Sequence, residues 1–267
     1  MKNPKVILIT GASSGLGAEL AIQYAKPGVT LLLTARNIER LEPIMDRCRA
    51  QGANVEFKII DVCDEAALED WICTMDTQFT IDTVIANAGI SAGSGQFGED
   101  ESQVKRIFHT NVLGLMHTIH PLIPRMQQRK RGQIGIISSL SGYRGLPSAP
   151  AYSASKAAVK VYGEALRGWL SKDNVGVTVI TPGYIKTPMT DVNEFPMPFL
   201  VPVEKAATTI IKGLACNKSR LAFPYPLYMI IWFLSSLPPA WTDWIFRSLP
   251  SKNTDTTASP KDKQHSL

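Results

Sequence analysis

Tyr152 and Lys156 stand four residues apart. On a helix, side chains at i and i+4 share a face, so the phenol and the ammonium come together. Tyr alone is a poor acid or base at neutral pH, its ordinary pKa being about 10. A neighbouring ammonium favours the phenolate and lowers that value, which makes the pair a candidate general acid/base. The surrounding Tyr152-Ser153-Ala154-Ser155-Lys156-Ala157-Ala158 is short-chained, leaving room for a ligand against the helix. Ser139 closes an apolar run thirteen residues before Tyr152 and adds a hydroxyl to the set. A lone Y-x-x-x-K also occurs on solvated helix faces; the small neighbours and Ser139 favour a reacting site.

A second set lies near the N-terminus. Thr10-Gly11-Ala12-Ser13-Ser14-Gly15-Leu16-Gly17 follows the apolar run Val6-Ile7-Leu8-Ile9 and opens a helical pattern. Glycines let the backbone turn tightly and approach a pyrophosphate, and the helix N-terminus offers free N–H groups and a positive dipole end. The spacing is G-x-x-x-G-x-G, and its strand-turn-helix context points to a bound dinucleotide.

These residues need a scaffold, and the hydrophobic pattern supplies one. Short apolar runs predict strands at Lys5–Thr10, Val29–Thr34, Val55–Ile60, Thr83–Ala86, Gly132–Ser138 and Gly176–Thr181. Helical patterns lie between or after them at Leu16–Ala25, Ile38–Gln51, Glu65–Met75, Glu101–Gln127, Ala151–Leu170 and Pro202–Ala215. Alternation of this kind predicts an α/β fold, a doubly wound parallel sheet of Rossmann type in three layers. The expected organisation is a dinucleotide-binding catalytic domain over 1–220, an apolar helical extension over 221–250 and a disordered polar tail over 251–267.

In this register the sequence resembles the short-chain dehydrogenase/reductase superfamily in its single-domain form. The resemblance covers about residues 5–215: the glycine turn, Asn87-Ala88-Gly89 after the fourth strand, Asn111 in the long central helix, then Ser139, Tyr152 and Lys156, and Pro182-Gly183 with Thr187 after the sixth strand. It departs from many members at Ala86, where they carry Asn. The resemblance implies hydride transfer between a nicotinamide and a carbonyl or alcohol. Asn111, Ser139, Tyr152 and Lys156 would be the catalytic set. Tyr152 would move the proton, Lys156 would tune it and hold the ribose, Ser139 would hold the substrate oxygen, and Asn111 would position a relay water. Cofactor contacts would come from Gly11, Ser13, Ser14, Gly15, Leu16, Gly17, Asp61, Val62, Asn87, Ala88, Gly89, Tyr152, Lys156, Pro182, Gly183, Ile185 and Thr187.

NADP(H) is favoured over NAD(H). No acid stands near Ala35 at the end of the second strand, and Arg36 follows. A guanidinium can grip a 2′-phosphate in forked geometry, whereas a carboxylate there suits the unphosphorylated ribose. Ser14 occupies the place where some NADP-dependent relatives have a second basic residue.

Substrate loops are expected at Ile90–Phe97, Leu140–Pro150 and Met189–Val201, with Arg144 as their one cation, which favours an apolar ketone or alcohol. Leu227–Leu237 is almost wholly apolar between Pro226 and Pro238, yet eleven helical residues cover roughly 16 Å against about 30 Å of hydrocarbon. With Trp232, Trp241 and Trp244 nearby, a helix pair lying in a membrane interface, a dimer interface and a lid are the readings; a similar extension occurs in membrane-associated hydroxysteroid dehydrogenases. The family further implies a homodimer or homotetramer through the Glu101–Gln127 and Ala151–Leu170 helices.

Composition excludes other classes. Hydrophobic residues are 45% of 267, too many for a disordered chain. The four cysteines, Cys48, Cys63, Cys73 and Cys216, have neither zinc nor disulfide-framework spacing and read as reduced, mostly buried thiols. The N-terminus has no signal-like segment, so a cytoplasmic location is expected, with contact at the cytoplasmic membrane face. Net charge is +5, but no aromatic-basic motif supports nucleic-acid binding. The basic run Arg125, Arg129, Lys130, Arg131 reads as a solvated helix end rather than a lipid contact. His117 and His120 have no third ligand near, so no metal is expected. Two alternatives remain: a catalytically idle NADP(H)-binding regulator, which the intact tetrad opposes, and a reductase of a small polar ketone or sugar.

Overall fold

The computed structural model describes residues 1–93, 98–191 and 196–247. The expected polar tail at 251–267 and parts of two expected substrate loops lie outside them. Seven strands form one parallel sheet in the order β3-β2-β1-β4-β5-β6-β7. They are β1 Val6–Thr10, β2 Thr30–Ala35, β3 Asn54–Ile59, β4 Thr83–Ala86, β5 Gly132–Ile137, β6 Val175–Pro182 and β7 Arg220–Phe223. Helices cover both faces: α1 Gly15–Tyr24, α2 Ile38–Ala50, α3 Glu65–Phe79, α4 Glu101–Phe108, α5 Gly114–Ile119, α6 Ile123–Gln128, α7 Pro150–Leu170, α8 Pro188–Asp191 and α9 Val203–Ala215. Then come α10 Tyr225–Ser236 and α11 Pro239–Arg247.

Every residue of β1 and β5 is buried, as central strands covered on both faces require. Successive side chains point to opposite faces, so Ile7 and Ile9 join one core and Val6 and Leu8 the other. β3 departs from this pattern. As an edge strand it leaves Phe57 and Ile59 exposed beside Glu56 and Lys58.

Three features differ from expectation. Glu101–Gln127 is not one helix: α4 passes into a π-helical turn at His109–Leu113, α5 follows, and the chain turns before α6. Pro121 and Pro124 account for the later break, since neither can donate its backbone N–H to the helical ladder. Strand β7 is only four residues long, and its Leu221 and Phe223 are buried against the sheet. The 220/221 boundary of the expected extension therefore falls inside a strand. Among the cysteines only Cys48 is fully buried, and Cys216 is exposed.

The basic run is paired rather than free, although Lys130 and Arg131 stay exposed to solvent. Arg129 donates to both carboxylate oxygens of Asp76 at 2.9 and 2.8 Å and to the Ile81 carbonyl at 2.7 Å. Arg131 pairs with Asp82 at 2.7 Å, and Lys130 pairs with Asp173. The three acids are all buried, and a buried carboxylate is strongly costly without a partner. This part of the positive excess is matched inside the protein.

Candidate active site

A single cleft crosses the carboxyl ends of β1 to β6, the position where open α/β sheets bind ligands. Its nucleotide end begins at the glycine turn. Gly11 and Gly15 have φ of +67° and +54°, a left-handed conformation that favours glycine. Asn87 and Ala88 donate their backbone N–H groups to Thr10 Oγ1 at 3.1 and 3.2 Å, and Asn87 Nδ2 donates to the Thr10 and Gly11 carbonyls at 3.0 and 3.2 Å. A Cβ on Gly17 would lie 2.3 Å from the Gly11 carbonyl oxygen. Gly17 thus lets the turn close on itself and does not line the cleft, unlike Gly11, Ser13, Ser14, Gly15 and Leu16. Ser14 caps α1 without a side-chain hydrogen bond, so the first-turn N–H groups remain available to an anion. The donor set and the close backbone approach fit a pyrophosphate.

Further along, Arg36, Asp61, Val62, Asn87, Ala88 and Gly89 line the same cleft. Arg36 is two-thirds exposed and pairs with Asp61 at 3.6 Å. Arg40 also lines the cleft, a second cation not foreseen from the sequence. It is placed by Asn37, whose side chain caps α2 by accepting from the Arg40 N–H at 2.9 Å. The signal was present: Asn37 followed three residues later by Arg40, at the start of a helical pattern, puts a second cation in the first turn of α2.

At the other end, Ser139, Tyr152 and Lys156 converge with Pro182, Gly183, Ile185 and Thr187. Ser139 lies two residues beyond the end of β5, and its hydroxyl hydrogen bonds Tyr152 and lies 2.6 Å from Ser141 Oγ. Ser141 is a further hydroxyl that sequence spacing did not single out. Lys156 is buried and donates from Nζ to the Ile137 carbonyl at 3.0 Å. Its ammonium stands 5.7 Å from the Tyr152 ring centroid.

Burial dominates the titration of both groups. It pulls Lys156 down to about 8 and pushes the Tyr152 phenol above its ordinary value, with the Ser139 hydroxyl pulling it partly back. The lowering of Tyr152 by the lysine, expected from sequence, does not prevail in the free protein.

Asn111 sits behind the cleft on the π-helical turn, a geometry frequent at functional sites. Its Oδ1 accepts from the Ile90 N–H at 2.8 Å, and its Nδ2 donates to the Ile90 carbonyl at 2.9 Å and to Ser155 Oγ at 3.0 Å. It ties the chain after β4 to α7, the helix that carries Tyr152 and Lys156. A Cβ on Gly89 would come 3.1 Å from Asn111 Oδ1 and 3.4 Å from Lys156 Nζ, so only a glycine leaves this corner open.

The remaining candidates have other partners. His117 Nδ1 is 3.0 Å from the Val62 carbonyl and its Nε2 is 3.7 Å from Glu65, while His120 Nε2 is 2.7 Å from the Tyr162 hydroxyl. Arg144 pairs with Asp243 at 2.8 Å. Among the described residues no helix is long and apolar enough to cross a membrane. α10 has no buried residue, and Tyr225, Ile230, Phe233, Trp241 and Trp244 of the last two helices are more than half exposed.

Comparison with known proteins agrees with this geometry. Residues 5–195 match the family model of short chain dehydrogenases. The chain is 38% identical over 224 residues to an uncharacterised oxidoreductase of Myxococcus xanthus, covering 84% of this chain and 88% of the relative. It is 32% identical over 253 residues to an 11-beta-hydroxysteroid dehydrogenase-like protein, 4A, of Arabidopsis thaliana, with 89% and 82% covered. Among solved structures, ElxO with NADP bound superposes with a TM-score of 0.73 at 26% identity, covering 82% of this chain and 96% of that one. A Mycobacterium paratuberculosis short chain dehydrogenase bound to NAD gives 0.74 at 22% identity, with 83% and 96% covered. The fold is thus shared with these structures, and the chain is an oxidoreductase of the short-chain dehydrogenase/reductase superfamily.

Proposed function

We propose that this oxidoreductase uses NADP(H) to interconvert a carbonyl and a secondary alcohol on an apolar substrate. The observation that carries the reading is one cleft with Ser139, Tyr152 and Lys156 at one end and Arg36 and Arg40 at the other. The bound nicotinamide supplies or accepts the hydride. Ser139 donates a hydrogen bond to the reacting oxygen, and Tyr152, held protonated by burial, gives that oxygen its proton during reduction. Lys156 holds the ribose and returns the phenol to its protonated form through a water placed by Asn111. The two cations Arg36 and Arg40, which line the same cleft, suit a 2′-phosphate, and the similar ElxO structure has NADP bound.

Three features favour an uncharged, apolar substrate. Arg144, the one cation in the expected substrate loops, is committed to Asp243. Met189, Phe199 and Leu200 present apolar surface near the substrate end. Several similar relatives bear the name 11-beta-hydroxysteroid dehydrogenase or a form of it. The test is oxidation of NADPH and NADH over long-chain 3-keto lipids, ketosteroids and small polar ketones. The expected result is turnover of the apolar ketones with NADPH preferred. Turnover confined to small polar ketones or sugars overturns the substrate class, equal use of NADH overturns the cofactor preference, and tight NADPH binding without turnover leaves an idle regulator.

The proposal extends to the protein's surroundings. α10 carries no charged residue and exposes Trp232, and α11 exposes Trp241 and Trp244, which suits the plane of a bilayer interface at the cytoplasmic side. Flotation with liposomes tests this, comparing the full chain with Trp232→Ser/Trp241→Ser/Trp244→Ser. A cut at Arg220 is a poorer test because it removes β7 from the sheet. Phe108, Leu113, Val161 and Trp169 are exposed on the central helices and α7, which supports a homo-oligomer there. Sedimentation of the Val161→Glu/Trp169→Glu variant as an unchanged dimer or tetramer would count against that interface.

A further inference from the structure

The substrate side of the cleft is held by residues outside both the glycine turn and the catalytic set. After Ser139 the chain makes one 3-10 turn, Leu140–Gly142, pressed on the backbone of α7: a Cβ on Gly142 would sit 2.8 Å from the Lys156 carbonyl carbon. The next two side chains point into the C-terminal helices. Tyr143 has Lys160 at 5.0 Å and Arg220 at 5.7 Å from its ring centroid, and meets Tyr228 of α10 edge-on at 5.6 Å. Arg144 reaches α11, donating from one Nη to Asp243 Oδ1 at 2.8 Å and to Thr242 Oγ1 at 3.4 Å. Its guanidinium also stacks 4.9 Å from the Phe246 ring centroid. Thr242 and Phe246 are themselves buried.

The arrangement makes Asp243 decisive. The Arg144 side chain is only 20% exposed, and its Nε is buried without a hydrogen-bond partner. Asp243 supplies the one salt bridge to this guanidinium among the described residues. Losing Asp243, itself 43% exposed, leaves an uncompensated charge on the mostly buried guanidinium, and the segment holding it then gains by moving toward water. Arg144 is five residues from Ser139, on the far side of a single turn. Leu227 of α10 braces the same region from the cofactor side: a Cβ on Gly183 would lie 2.9 Å from Leu227 and 3.3 Å from Leu140.

We propose that Arg144 and Asp243 are a positioning pair through which α11 fixes the turn behind Ser139, so that the C-terminal helices are part of the active site's construction. Neither residue touches the reacting atoms; both act through the placement of Ser139 and Ser141. A shift of the substrate-oxygen donor by about 1 Å is enough to cost a hundredfold in rate. The catalytic consequence rests on the proposed reductase reading; the structural coupling does not.

The test uses the full chain with Asp243→Asn, Arg144→Gln, both together, and the reversed pair Arg144→Asp/Asp243→Arg. Asp243→Asn should lower kcat by about tenfold or more while KM for NADPH and NADPH affinity, measured by fluorescence, stay at the parent's values. Hydrogen exchange over 139–146 should accelerate. The double neutral variant should be no worse than the worse single one, as coupled residues require, and the reversed pair should recover most of kcat. Trp244→Ser, at a 71% exposed position of the same helix, should leave both kcat and exchange over 139–146 at the parent's values. Parental kcat and exchange in Asp243→Asn, or additive losses in the double variant, would overturn the pair. If the parent reduces no ketone, the reductase reading fails separately, and unchanged or accelerated exchange at 139–146 still decides the coupling.

Discussion

The two ends of the cleft are built by different kinds of contact. At the nucleotide end backbone meets backbone: a Cβ on Gly11 would come 2.9 Å from the Ala88 Cα, and one on Gly17 would come 2.3 Å from the Gly11 carbonyl oxygen. At the substrate end side chains meet side chains: Leu227 over Gly183, Tyr228 against Tyr143, Asp243 on Arg144. Backbone contacts at this range admit glycine and little else, so the first wall is nearly fixed in residue type. Side-chain contacts can be replaced by others of equal shape and charge, so the second wall is free to differ and to set what the enzyme accepts.

The sharpest way to break this contrast is at the point where both ends meet. Tyr152→Phe keeps the ring and removes the proton; turnover should fall about 10³-fold, within the range of general acid–base contributions, while NADPH affinity is retained. Near-normal turnover would remove Tyr152 from the chemistry. Next in size is the buried ammonium. Lys156 has its pKa lowered to about 8 on folding, so between about pH 8 and its unfolded value near 10.4 the unfolded chain binds more protons, and stability contributed at this site rises with pH. The unfolding free energy of the parent relative to Lys156→Met should therefore climb by up to about 3 kcal/mol across that window. A flat difference in denaturant titrations would show that the lysine is not desolvated.

Smaller effects separate the walls themselves. Arg36→Asp places a second carboxylate beside Asp61 and leaves Arg40 alone to meet a phosphate. NADPH affinity should drop about tenfold, the scale of one charge-assisted hydrogen bond, with NADH use rising and ketone KM unmoved. An unchanged NADPH/NADH ratio would place the preference elsewhere. Smallest of all, Trp241→Ser/Trp244→Ser on the outer face of α11 should change stability by no more than about 0.5 kcal/mol, as exposed sites do. A large loss of Tm in dilute buffer would mean that these rings pack inward.

Much of the nucleotide end is legible in the order of residues alone. Thr10 through Gly17, Asn87-Ala88-Gly89 and the Tyr152–Lys156 pair are local signals, each confined to one turn or one helix face. Other parts are not legible, for definite reasons. β7 is four residues long, too short for its alternation of exposed and buried residues to stand out from the apolar helix after it. The π-helical turn that carries Asn111 adds no composition cue of its own. Arg125, Arg129, Lys130 and Arg131 look unpaired in sequence because their partners, Asp76, Asp82 and Asp173, are 43 to 53 residues away along the chain. Arg144 looks like a free cation in a substrate loop because Asp243 lies 99 residues beyond it.

The sequence by itself determined the parallel α/β sheet, the glycine turn and which side chains are the catalytic candidates, because hydrophobic period and short-range spacing act over a few residues. Tertiary structure alone decided which charges are already neutralised, that burial outweighs the neighbouring ammonium in setting the Tyr152 phenol, and that the apolar C-terminus braces the turn behind Ser139. Desolvation and ion pairing depend on what is packed nearby in space, and only the closed fold brings those distant partners together.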